Sequence, residues 1–201
     1  MNNRPHTDVT VAFYDLNAAA FSLDTKAVDM GNLYSEFLPR VRKSGRILDA
    51  GCGAGRDAAF FKHQGFSVVA FDASRELAAI ASQVLGQPVR VMTFLDLDSI
   101  DEFDGIWVCA SLLHVPTTEM DGVLRRLVHA LKKGGAMYVS FKYGRTESER
   151  NGRFFNDYDE CKLQAVLERH PALAAEKVWQ TQDARLGRQE ELWLNAILTK
   201  V

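Results

Sequence analysis

The stretch Ile47-Leu48-Asp49-Ala50-Gly51-Cys52-Gly53-Ala54-Gly55-Arg56-Asp57 constrains this 201-residue chain more than any other. A short apolar run carries an acidic residue, three glycines alternate in a D-x-G-x-G-x-G pattern, and a helix-forming segment follows. Glycine permits left-handed backbone in a tight strand-to-helix turn and lets a ligand approach bare main chain. Such a turn belongs to an open α/β sheet that binds its ligand at the strand ends.

The rest of the chain reads the same way. Arg46–Ala50 is a strand, Arg56–Gln64 a helix closed by Gly65, and Ser67–Phe71 a strand buried on both faces. Ser74 N-caps a helix running through Leu85 and closed by Gly86. Val89–Phe94, Gly105–Ala110 and Ala136–Phe141 read as further strands. Between the last two, Thr118 opens a helix with Met120, Val123, Leu124, Leu127 and Leu131 at helical spacing, ended by Gly134-Gly135. Strands and helices in series imply a doubly wound, mainly parallel sheet with helices on both faces. After a polar stretch from Lys142 to Asp157 and a helix ending before Pro171, the strands Glu176–Thr181 and Glu191–Thr199 are expected to pair antiparallel. At the front, Asp29–Val41 shows helical periodicity at Leu33, Phe37 and Val41 and is expected to cross the C-terminal edge of the strands. With no repeat or linker in evidence, residues 1–201 read as one domain. About 1–44 form an N-terminal helical cover and 45–201 the cofactor-binding and catalytic core.

Composition then excludes classes. Twenty-four Lys+Arg against 26 Asp+Glu leave a net charge of −2, which argues against a broad nucleic-acid-binding face. No apolar run approaches the roughly 20 residues of a membrane span. Cys52, Cys109 and Cys161 are odd in number, widely spaced and without a C-x-x-C pair, which fits a reducing cytoplasm. Cys52 reads as a small buried residue. His63, His129 and His170 have no metal-site spacing and read as solvent-facing; no metal is expected.

The glycine pattern departs from the dinucleotide fingerprint G-x-G-x-x-G because its third glycine comes one step early. Asp49 at the strand end suits the ammonium of an amino acid better than a diphosphate. Asp72, ending the next strand, suits the two hydroxyls of a ribose. Amino acid and ribose without phosphate point to S-adenosylmethionine, with S-adenosylhomocysteine as product.

Four motifs in order resemble class I S-adenosylmethionine-dependent methyltransferases: Leu48–Gly55, Ala70–Ser74, Phe103–Trp107 with Leu112–Pro116, and Leu131–Ala136. Phe13-Tyr14-Asp15 with Asn17-Ala18, and Gly55-Arg56-Asp57, make the chain similar to small bacterial methyltransferases of the tellurite-resistance type. The resemblance implies a seven-stranded sheet of order 3-2-1-4-5-7-6 with the last strand antiparallel, and an N-terminal helical extension. It implies that Asp49, Gly51 and Gly53 hold the methionine end, Asp72 the ribose and Ala73 the adenosine side. Phe94 or Leu95 would contact adenine, Ala110 or Ser111 would lie beneath the sulfonium, and Tyr14 would reach the cofactor's carboxylate. Relatives often carry an aspartate right after the third strand, whereas this chain reads Phe94-Leu95-Asp96.

For the acceptor, His114 is the best-placed candidate base. Arg56, Lys142, Arg153 and Arg185 are candidates for holding an anionic acceptor, Tyr143 flanks its entrance, and Trp193 is a candidate wall. An amino-group DNA methyltransferase would show a [DNS]-P-P-[YFW] run where this chain has Cys109-Ala110-Ser111-Leu112, and a cytosine-C5 enzyme a Pro-Cys nucleophile. Little chain remains to recognise a macromolecule, so a small-molecule acceptor is expected, with the protein a monomer or weak homodimer. Two alternatives stay open: a nucleotide-dependent oxidoreductase on the same sheet, and a non-catalytic S-adenosylmethionine-binding protein.

Overall fold

A computed structural model describes residues 5–185 and 187–201. In chain order the elements are helix α1 (Pro5–Lys26), α2 (Gly31–Phe37), strand β1 (Arg46–Ala50), α3 (Arg56–His63), β2 (Ser67–Asp72), α4 (Arg75–Leu85), β3 (Arg90–Val91), β4 (Phe103–Val108) and α5 (Thr117–Ala130). Then follow β5 (Leu131–Lys142), β6 (Glu147–Arg150), β7 (Arg153–Asn156), α6 (Glu160–Leu167), β8 (Leu173–Gln182) and β9 (Leu192–Lys200). Seven strands form one sheet in the order β3-β2-β1-β4-β5-β9-β8, and β6-β7 is a separate hairpin. The first five strands run parallel, and β9 is antiparallel to both neighbours. Counting only main-sheet strands, this is the expected order 3-2-1-4-5-7-6.

Period-two alternation splits the core into two layers. Leu48, Ala50, Ile106, Val108, Met137 and Val139 face α5 and α6. Ile47, Val68, Ala70, Trp107 and Tyr138 face α2, α3 and α4. Ser74 accepts a hydrogen bond from Leu77 N–H at 3.1 Å, which starts α4, and Gly86 ends it at φ +61°.

Four local expectations change. Asp29–Val41 is not the cover over the strand ends: α2 buries Tyr34 and Phe37 against the sheet, in room left by Gly105, where an added Cβ would come within 2.8 Å of Phe37 and Val41. The cover is α1, whose Tyr14 and Phe21 line the ligand-facing edge. Val89–Phe94 shrinks to two paired residues. Pro88 lacks an N–H, and Thr93 turns the chain by donating N–H and Oγ–H to Asp96 at 2.9 and 2.7 Å. The helix before β5 ends at Ala130, and pairing begins at Leu131, before Gly134-Gly135. Finally, the polar stretch after Phe141 contains the β6–β7 hairpin, turned at Asn151 (φ +51°) and Gly152 (φ +74°).

Candidate functional site

Where the parallel strands end, one cavity of about 750 Å³ opens under α1, a size usual for small-molecule sites. Tyr14, Gly51, Gly53, Asp72, Ala73, Phe94, Leu95, Ala110, Ser111 and His114 all line it, as do Arg56, Lys142, Tyr143, Arg153, Arg185 and Trp193. Asp49 does not. It shares the side of β1 that Ile47 occupies, is 2% exposed, and accepts a hydrogen bond from Ala58 N–H in the first turn of α3. There it ties the glycine loop to the helix rather than facing a ligand. Burial and the nearby Asp57 charge push its carboxyl well above the usual range.

The loop itself is fixed by Asp72. One carboxylate oxygen accepts from Gly53 N–H at 2.7 Å and the other from Ser74 N–H at 2.9 Å. Gly51, Gly53 and Gly55 have φ of +77°, +54° and +86°. A Cβ on Gly51 would meet Ser111 Cβ at 2.5 Å, and one on Gly53 would meet Phe21 at 3.2 Å. Glycine is therefore required both by backbone conformation and by close approach. Ser111 donates to Ala50 C=O at 2.7 Å, and Ala110, at φ +51°, donates its N–H to Ser140 Oγ at 2.8 Å. Burial pushes the Asp72 carboxyl up to about 6. Met92, Thr93, Phe94 and Leu95 form the next stretch of wall, while Asp96 turns back onto Thr93.

On the other side, His114 is held at both ring nitrogens. Nδ1 lies 2.6 Å from Phe154 C=O, so it carries the proton and donates; Nε2 then accepts from Tyr14 O–H at 2.9 Å. Burial, with Arg153 and Arg150 nearby, lowers His114 to about 4, so the ring is neutral near pH 7. Because Tyr14 gives its hydrogen to His114, it offers lone pairs to the cavity. A cofactor carboxylate, expected at Tyr14, would compete with His114 for that hydrogen. Burial also raises the Tyr14 hydroxyl, so it stays protonated.

Three of the four expected anion-holding cations are already paired. Arg56 forks onto buried Asp57 at 2.6 and 3.0 Å, and that carboxylate also accepts from Tyr34 at 2.6 Å and Trp107 at 2.8 Å. Lys142 and Arg185 converge on Asp183, at 3.1 Å from Lys142 Nζ and 2.6 Å from an Arg185 nitrogen. Trp193 Nε1 adds a bond at 3.1 Å, and Lys142 also meets Glu191. The fourth, Arg153, has no carboxylate partner among the described residues. The Tyr143 hydroxyl bonds Glu160 at 3.0 Å. Sequence reading had singled out neither Asp183 nor the α1 residues Thr10 and Phe21. Thr10 accepts from Phe154 N–H at 3.0 Å, which docks α1 on the hairpin.

Cysteine chemistry has little support here. All three cysteines are free, and burial raises Cys52 well above its ordinary value and Cys109 to about 12. His170 is buried against Asp121, not solvent-facing. Among the described residues no cluster could hold a metal ion, and no helix is long and apolar enough to cross a membrane.

Residues 47–135 match the family described as "Methyltransferase domain", and the resemblance drawn from the four motifs is thereby borne out. An uncharacterised methyltransferase of Staphylococcus carnosus is 29% identical over 108 residues, 53% of this chain and 52% of that protein. The chain spans about half the length of the curated relatives it matches, or less. Among solved structures, the 1,6-didemethyltoxoflavin-N1-methyltransferase of Burkholderia thailandensis superposes with a TM-score of 0.77 at 21% identity. It covers all of this chain and 92% of its own, and was solved with 1,6-didemethyltoxoflavin and S-adenosylhomocysteine bound. A TehB-like S-adenosylmethionine-dependent methyltransferase from Corynebacterium glutamicum gives 0.71 at 22% identity, covering 94% of this chain and all of that one. The fold is that of the class I methyltransferases.

Proposed function

We propose that this chain is an S-adenosylmethionine-dependent methyltransferase acting on a small-molecule acceptor. The observation that carries the reading is Asp72: a buried carboxylate, pinned by Gly53 N–H and Ser74 N–H, at the rim of a loop with no free cation. A nucleotide diphosphate placed there would meet this carboxylate and find Arg56 already paired with Asp57. Ribose hydroxyls, in contrast, are donors that a carboxylate accepts. Gly53 N–H, a loop donor that a pyrophosphate would use, is already given to Asp72, which disfavours the oxidoreductase alternative.

When bound, the cofactor supplies a methyl group already activated as a sulfonium. In this reading Gly51 and Gly53 bring bare backbone to its methionine part, and Asp72 holds its ribose. Ala73, Phe94 and Leu95 enclose its base, and Ala110 and Ser111 lie under the reacting centre. The chain's own work is to orient the acceptor, exclude water under α1 and hold the acceptor's proton near neutral His114. A small acceptor is supported by the size of the cavity, and the Burkholderia neighbour, solved with 1,6-didemethyltoxoflavin bound, is consistent with that. The whole chain would act as one domain, in the cytoplasm, as a monomer or weak homodimer.

Thermal denaturation with added ligands tests the reading. S-adenosylhomocysteine should raise the melting temperature, and Gly51→Ala should remove the effect. A rise with NAD(P) and none with S-adenosylmethionine or S-adenosylhomocysteine would refute it. Cofactor binding without label transfer to any metabolite pool would instead favour the non-catalytic alternative.

A further inference from the structure

Helix α1, the turn after β4 and the β6–β7 hairpin meet around the Arg153 guanidinium. Its central carbon lies 4.6 Å from the Phe13 ring centroid, 5.1 Å from Phe155 and 5.7 Å from Tyr14. Those rings fix the plane of the guanidinium and shield it from water. Among the described residues its Nε is buried without a hydrogen-bond partner, and its guanidinium makes one hydrogen bond, from Nη1 to Tyr14 Oη at 3.4 Å. Arg150 beside it is paired with Asp157. Lys142 and Arg185 are neutralised by Asp183 and Glu191. Among the described residues Arg153 is thus a half-buried cavity cation without a carboxylate partner, whereas Arg188, also on the cavity wall, is exposed.

Direction is set as well as charge. Arg153 donates to Tyr14, Tyr14 donates to His114 Nε2, and His114 Nδ1 donates to Phe154 C=O. Beyond the Nη1–H given to Tyr14, the Arg153 guanidinium keeps further N–H groups on a side chain that lines the cavity. Tyr14 Oη keeps a lone pair for one more donor. The wall therefore presents an N–H beside a lone pair, flanked by aromatic faces.

We propose that this end of the cavity takes a planar aromatic or heteroaromatic acid, its anionic oxygen on the free guanidinium N–H groups of Arg153 and a neighbouring O–H or N–H directed to Tyr14 Oη. The proposal rests on the methyltransferase reading, since it names the class of acceptor. The oxygen or nitrogen whose hydrogen Tyr14 holds is the atom presented for methylation: as it takes the methyl group its proton passes to Tyr14 Oη, and Tyr14 gives its own proton to His114 Nε2. Arg153 and Tyr14 select the acceptor, and His114 positions Tyr14 by fixing the direction of its hydroxyl.

Three probes separate the parts: salicylate (anion with adjacent O–H), benzoate (anion alone) and phenol (O–H alone). Each is titrated by calorimetry into the full chain saturated with S-adenosylhomocysteine, with salicylate also followed by its fluorescence. Salicylate should bind roughly tenfold or more tighter than either partial probe, the scale of one charge-assisted hydrogen bond. Arg153→Met should weaken salicylate and benzoate by about that factor and leave phenol unchanged. Tyr14→Phe should bring salicylate down to the benzoate level. If Arg153→Met does not fold, Arg153→Lys keeps the charge without the fork and should show a smaller loss in the same two probes. Equal binding of phenol and salicylate, or indifference of salicylate to Arg153, overturns the proposal. So does failure of all three probes on a protein that has bound S-adenosylhomocysteine. Failure to bind S-adenosylhomocysteine itself overturns the cofactor reading, and this inference with it.

Discussion

Asp57→Asn should cost far more than its single-atom change suggests. The carboxylate is 6% exposed and accepts four hydrogen bonds: two from Arg56 at 2.6 and 3.0 Å, one from Tyr34 at 2.6 Å and one from Trp107 at 2.8 Å. An asparagine has one acceptor oxygen, so its amide must face a donor of Arg56 whichever way it turns; Tyr34 can reverse its hydroxyl, but Trp107 and Arg56 cannot. Losing one partner of a buried ion pair costs about 3–5 kcal/mol. The lower end applies because removing the Asp57 charge, which with burial pushes the Asp49 carboxyl up, favours the charged form of Asp49 near Arg56. At that lower end, about 3 kcal/mol, a chain of this length loses roughly 6–12 °C of melting temperature. Tyr34→Phe removes one donor and keeps the ion pair, so it should cost about 1.5–3 kcal/mol. Burial alone would raise the Asp57 pKa, but Arg56, Tyr34 and Trp107 hold it below its ordinary value. Its stabilisation is therefore present above the unfolded-state pKa of about 3.9 and fades as pH falls through the lower folded-state value. Urea titrations of the three proteins at neutral and acid pH would decide. Asp57→Asn within about 1 kcal/mol of wild type, or no worse than Tyr34→Phe, would refute the hub.

Asp72 should make cofactor affinity rise with pH as well. Its pKa of about 6 in the free protein means that ribose hydroxyls find an ionised acceptor only above that pH. S-adenosylhomocysteine affinity should thus rise through pH 6 and level off beyond it, and a flat profile would contradict the assignment. In the free protein the same raised pKa favours folding in acid, an advantage lost as pH climbs from about 3.9 to about 6. Ser74→Ala should lose about 1 kcal/mol through the missing α4 cap. It also cuts the 2.5 Å bond from Ser74 Oγ to Asp15, so amide exchange in α1 should quicken; unchanged α1 protection would sink that link.

Much of the frame was legible because local rules and tertiary structure agree. The Ser74 cap, the Gly86 stop and the alternating strands gave α4 and the sheet without error of type. Other features were readable but passed over. Asn151-Gly152 is a strong short-range hairpin signal, and it would have brought Arg150 and Arg153 together across β6 and β7. Period-two alternation already puts Asp49 on the face of Ile47, behind the loop. Helix α1 hid for a physical reason: its apolar residues lie all round, with Leu16 and Leu23 exposed, so no single stripe announces it. The pairing of Lys142 with Asp183 depends on β9 bringing the end of β8 alongside β5, which no local pattern encodes.

Helix α1 is fastened at both halves of the cavity: Asp15 to Ser74 on the cofactor side, Thr10 and Tyr14 to Phe154 and His114 on the other. In kinetic terms one rigid rod then governs two departures. We expect S-adenosylhomocysteine and methylated product to leave at rates set by a shared opening of this helix. Loosening either fastening, as Ser74→Ala does in stopped-flow dissociation, should shorten the residence of both ligands together.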